Sequence, residues 1–203
     1  MKSIKKLAAL NCSFKKNFLI GTFCFFCLTF LPAGIVGADT AGSHSSLKVS
    51  SDYCTLYFEG MVNPARIDKK LDIKYIEIGY GGKRSLREAG DVFERIAIKC
   101  DMILLRSEQI LDMYPADFHV NIVFFESTKM LIDAYEEIMG ERLDLYSFYV
   151  YENNTIYTTE SRVNQNILAH EIGHALVNHY FIVRPPATVR ELLSQYIDVH
   201  LED

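Results

Sequence analysis

The chain has no surplus of basic residues: 21 lysines and arginines stand against 26 aspartates and glutamates, a net charge of −5. Phosphate binding needs a basic face, so no nucleic-acid partner is expected. Long hydrophobic runs are also lacking. The longest, Phe18 to Leu31, covers about 14 residues before Pro32, short of the roughly 20 that cross a bilayer. No internal repeat occurs, and the 49% hydrophobic and 23% charged content is neither collagenous, disordered nor that of a multi-span membrane protein. One globular domain around one core is expected.

The first segment differs from the rest. Residues 1–38 hold five lysines and no acidic residue, then the apolar run, then small residues ending Val36, Gly37, Ala38. A basic start, a short apolar stretch and small residues before a cut are the parts of a secretory signal peptide. Cleavage is expected after Ala38, leaving 39–203 as the mature domain in a secreted or periplasmic location, with an uncleaved N-terminal membrane anchor as the alternative. Without the leader, 16 basic residues face all 26 acidic ones, a net charge of −10, which favours solubility.

Cysteine is scarce once the leader is removed. Cys12, Cys24 and Cys27 belong to the leader, so only Cys54 and Cys100 remain. An even pair in an oxidising compartment is a candidate disulfide, and two buried thiols are the alternative.

Residues 39–48 are rich in Gly, Ser, Ala and Thr and read as a flexible lead-in. Aromatic and β-branched runs at 53–58, 73–80 and 118–125 predict strands. Ser85 to Glu88 is a capping box opening a long helix that reaches Met113. A helix follows from Thr128 to Met139, ended by Gly140. Two β-type runs around Asn153 and Asn154 predict a hairpin, with Thr155 to Thr159 as an edge strand that a substrate backbone could join. A helix over 163–180, a break at Pro185 and Pro186, and a last helix over 188–201 complete the chain.

The chemistry concentrates in one motif. His170, Glu171, Ile172, Gly173 and His174 form HExxH. On a helix the two histidines lie one turn apart on one face, so both imidazoles reach one ion, while Glu171 is placed to take a proton from a water at that ion. The flanking Ile167, Leu168, Ala169, Ile172, Ala175 and Leu176 suit a buried helix.

A catalytic zinc needs a third protein ligand. His179 falls opposite the His170 and His174 face at about 100° per residue, and reads as a packed or helix-terminal histidine. Glu191, with 16 residues between it and His174, lies on the next helix, where Val189, Leu192, Leu193, Tyr196 and Ile197 form an apolar stripe and Glu191 shares the other face with Gln195 and Asp198. Thr188 to Glu191 is also a capping box, so the alternative is that Glu191 merely bonds the start of its own helix.

That spacing and order resemble the gluzincins, zinc metallopeptidases of the peptidase-MA-like kind, whose third ligand is a Glu on the helix after HExxH. The segment RELLSQYIDVHL is similar to their Glu-bearing helix through Glu191, Ser194, Tyr196 and Asp198, and the likeness spans about 117–201. Arg190 stands where those families often have Asn, and Gln195 replaces a carboxylate that many of them carry. The resemblance implies that Gln195 or Asp198 orients a histidine; the downstream Tyr or His with which larger relatives stabilise the oxyanion has no match here, and Tyr180, Tyr196 or His200 are the candidates to substitute for it. It implies a single α+β zincin-like domain: a small mixed sheet with an edge hairpin packed on the HExxH helix and a following Glu-bearing helix.

The expected function is an exported metallopeptidase hydrolysing peptide or protein substrates through a Zn2+-activated water, with His170, His174 and Glu191 as ligands and Glu171 as general base. The alternatives are a zincin-fold metal-binding or structural module of the cell envelope without turnover, and a deformylase-like hydrolase, which lacks its cysteine ligand here.

Overall fold

The computed structural model describes residues 46–73, 86 and 89–202. The expected leader, the capping box at Ser85 to Glu88 and most of the strand expected over 73–80 lie outside the described residues. Within them, no helix is long and apolar enough to cross a membrane.

Among the described residues five strands form one mixed sheet: β1 (Leu47–Ser50), β2 (Cys54–Glu59), β3 (Val120–Phe125), β4 (Ser147–Val150) and β5 (Thr155–Thr159). Their spatial order is β1-β2-β3-β5-β4. The two outer pairings are antiparallel and the two inner ones parallel. Five helices are described: α1 (Pro64–Lys70), α2 (Val92–Leu111), α3 (Thr128–Met139), α4 (Gln165–Tyr180) and α5 (Ala187–His200).

Alternation along the strands divides the sheet's two faces. Val120, Ile122, Phe124 and Ile156 join the main core, which α2 and α4 close with Ile96, Ile103, Leu104, Leu168, Ile172 and Leu176. Phe125 and Tyr157 turn the other way, where Tyr157 stacks on Phe148 and Phe148 meets Tyr135 of α3 edge to face at 5.0 Å. Apart from the half-buried Asn121, the β3 run is therefore apolar because both of its faces are covered.

The helix ends follow local chemistry. Asn164 accepts from Ile167 N at the start of α4, and Gly140 takes the left-handed conformation that ends α3 with φ of 81°. The turn between β4 and β5 has Asn154 at φ 48°, its side chain tied to Tyr149 Oη and to the His119 carbonyl.

Several expectations are revised. Leu47 and Lys48, the end of the expected lead-in, belong to β1, and α1 has no counterpart among the expected elements. The long helix begins at Val92 with Asp91 as its cap. The edge of the sheet is β4 and not β5, since β5 is paired on both sides. Of the two readings of Cys54 and Cys100, a disulfide or two buried thiols, the structure has the second: both are free and fully buried. Burial is the main force raising both thiol pKa values, and Cys54 has Asp101 as its hydrogen-bonding neighbour.

Candidate metal centre

The core-facing residues of α4 hold it rigidly under the sheet, which leaves the His170 and His174 row facing α5. Helix α5 crosses close because residue 173 has no side chain: a Cβ there would stand 2.8 Å from Ile197 Cδ1 and 3.0 Å from Ser194 Cα. Ser194 and Ile197, both fully buried, fill that contact. Glu191, one turn before Ser194, is thereby carried to the histidines.

His170 Nε2 lies 3.5 Å from Glu191 Oε1, and His174 Nε2 lies 3.4 Å from Glu191 Oε2. The imidazole rings stand edge to face with centroids 4.9 Å apart. Two ligands of a tetrahedral zinc, each about 2.0–2.1 Å from the ion, are separated by about 3.3 Å. His170, His174 and Glu191 are therefore a group that could hold a metal ion. Two imidazoles and one carboxylate fit the donor set of a zinc site with an open position.

The supporting contacts suit that role. Ser194 Oγ is 3.1 Å from His174 Nδ1; with the proton on Nδ1 donated to that oxygen, the Nε2 lone pair is left for an ion. Burial, with His170 alongside, pushes His174 down to about 4, so its ring is neutral at physiological pH. Gln195 donates to Glu191 Oε1 at 3.0 Å.

The capping box with Thr188, the alternative reading of Glu191, does not form. The N-cap of α5 is Pro186, and the helix has no side-chain cap. Glu191 is thus turned to the histidines and to Gln195 instead.

Glu171 is 7% exposed. Burial lifts its pKa to about 7, opposed by a hydrogen bond that Ser147 Oγ donates to Oε1 at 2.6 Å. Ser147 opens the edge strand β4, so the carboxylate is tied to the sheet edge. A cleft of about 360 Å³ lies there, lined by Tyr146, Ser147, Asn166, His170, Glu171 and Asp198 among others.

The remaining site candidates are dispersed. Asp198 borders the cleft, and its backbone carbonyl accepts from Asn166 Nδ2. The structure places Ser194, and neither Gln195 nor Asp198, on His174. Tyr180 rests against Phe181, and Tyr196 stacks on His200; both tyrosines are about half exposed. His179 bonds the Ala175 carbonyl and packs beside Phe118, away from the triad.

Sequence reasoning missed three contributors. Ser194 and Gly173 are small residues whose roles depend on a helix crossing that no local pattern encodes. The third is Asn178, a turn beyond His174 and 6% exposed, whose Oδ1 accepts from Arg184 Nε at 3.1 Å and from Arg190 Nη1 at 3.5 Å.

Compared with known protein families, curated proteins and solved structures, the chain matches none. The case for a metal centre therefore rests on the geometry of these side chains.

Proposed function

We propose that the protein is a zinc metallopeptidase of the HExxH and Glu type, exported after loss of its leader and acting on peptide or protein substrates. The observation that carries this reading is the meeting of His170 Nε2, His174 Nε2 and the Glu191 carboxylate at 3.4–3.5 Å, with a second, buried carboxylate on the adjoining residue Glu171.

A bound zinc ion supplies a Lewis acid for the scissile carbonyl and for a water molecule. The protein's own groups do the rest. Ser147 holds Glu171 Oε1, which leaves Oε2 to accept a proton from the water and return it to the leaving amine. Buried beside the ligands and held by Ser147 at one oxygen only, Glu171 is placed for both halves of that exchange. Among the described residues one side of β4 is unpaired; it lies next to Glu171, so the substrate backbone would add there as a further strand.

Replacing Glu171 by Gln is expected to keep zinc at one equivalent by metal analysis while abolishing cleavage of a mixed peptide library. Unchanged cleavage by that variant would sink the assignment. The second reading, a metal-binding module without turnover, is favoured by Tyr180 and Tyr196 being turned outward; zinc bound by the unaltered protein with no peptide cleaved would establish it.

A further inference from the structure

Asn178 continues the row of His170 and His174 by four residues, and its single side-chain oxygen is shared by two guanidinium groups. Arg184 also lies over the Tyr151 ring, 5.1 Å from its centroid. Among the described residues neither arginine makes an ion pair with a carboxylate. Two like charges held on one neutral amide oxygen repel each other and retain most of their donors unused. In a chain of net charge −5, such a pair, Arg184 exposed and Arg190 half-buried beside the metal centre, is placed to receive an anion.

The placement says which anion. Ser147, at the start of β4, touches Glu171 at the cleft, and Tyr151, just past the end of β4, lies under Arg184. A peptide laid along β4 therefore runs from the cleft, past the metal ligands, to the arginines. One helical turn separates Asn178 from His174, about 6 Å along the axis, or roughly two residues of extended chain. The planar, forked donors of arginine match a carboxylate.

We infer that Arg184 and Arg190, positioned by Asn178, form a subsite for a substrate carboxylate about two residues from the scissile bond, either an acidic side chain or a free C-terminus. The inference rests on the peptidase reading for the nature of the ligand. Both arginines would then be specificity residues that act on the substrate and not on the metal.

The test uses the zinc-loaded full chain carrying Glu171→Gln and a pool of N-acetylated hexapeptides in three forms: C-terminal amide without acidic residues, C-terminal acid, and C-terminal amide with one internal Glu. Equilibrium dialysis with mass spectrometry reads the bound fraction. At least one carboxylate form is expected to bind about tenfold or more tightly than the neutral amide, and the form that does so identifies the source of the carboxylate. Arg184→Gln with Arg190→Gln should erase the preference. Asn178→Asp, which supplies the missing anion from within, should erase it too, and it guards against a misfolded double variant.

Equal binding of all three forms, or binding of none, overturns the subsite. The two ideas part company in the unaltered protein. Cleavage of neutral and acidic peptides at equal kcat/KM would remove the subsite and leave the peptidase, whereas a carboxylate preference in binding with no cleavage would keep the subsite and remove the peptidase.

Discussion

Ser194 Oγ stands 3.1 Å from His174 Nδ1, on the side of the ring away from the Nε2 that faces Glu191. One fully buried hydroxyl on α5 thus sets the angle of a ligand on α4, while the same helix contributes Glu191. Ser194→Ala removes that orientation and leaves all three ligands in place. Zinc affinity, measured by competition with a chromophoric chelator, should fall by about 10- to 100-fold. The far-UV spectrum should be retained. An affinity within threefold of the unaltered protein would remove Ser194 from the site.

Gly173 is expected to be just as sensitive for a different reason. Alanine is the better helix former by about 1 kcal/mol, so a purely local view has Gly173→Ala stabilising. The added methyl would meet Ser194 Cα at 3.0 Å, and backbone atoms of a packed helix cannot step aside cheaply. Overpacking of this kind costs about 1–3 kcal/mol. The variant should melt at a lower temperature and lose zinc affinity together, because displacing α5 displaces Glu191. A raised melting temperature would refute the close crossing.

The third expectation concerns pH. Glu171 has a folded pKa of about 7 against an ordinary 4.5, so between those values the folded chain holds a proton that the unfolded chain releases. The contribution to stability is whole below the ordinary value and is lost as pH rises through about 7. Glu108, raised to about 7 by burial, acts in the same direction, while His174, lowered from 6.5 to about 4 by burial, opposes these two carboxyls over the lower part of that range. Metal-free protein should therefore unfold more readily at pH 8 than at pH 5. Glu171→Gln should narrow that difference, by at most about 3 kcal/mol for this group. Denaturant titrations of both proteins at the two pH values measure it; a Gln variant with an unchanged pH dependence would mean that Glu171 is not buried as a charge.

How much of this was legible beforehand depends on the range of the forces involved. The α3 helix, Thr128 to Met139, is readable because its cap residues Ser127 and Gly140 sit beside it in sequence. The same holds for the hairpin around Asn154 and for the HExxH face, where helical spacing alone aligns His170 with His174. Glu191 was approachable through its distance along the chain, yet its choice between capping its own helix and facing the histidines was decided by the packing of α5 on α4. The identity of the edge strand was out of reach: β4 and β5 are both short aromatic and β-type runs, and among the described residues only the insertion of β5 beside β3 leaves β4 outermost. β1 was hidden because its four residues are mostly exposed and carry little hydrophobic signal.

The bare start of α5 has a further implication. With no side chain closing its first turn, and with Pro185 and Pro186 feeding into it, the last helix depends on its contacts with α4 and α2 to stay docked. A ligand set divided between α4 and α5 works as a fastener across that joint. An ion held there would close the short loop from His174 to Glu191, so that occupancy and docking of the C-terminal helix become one equilibrium. Chelation should then be felt first as protease sensitivity around residues 181–186, well before the sheet and its core give way.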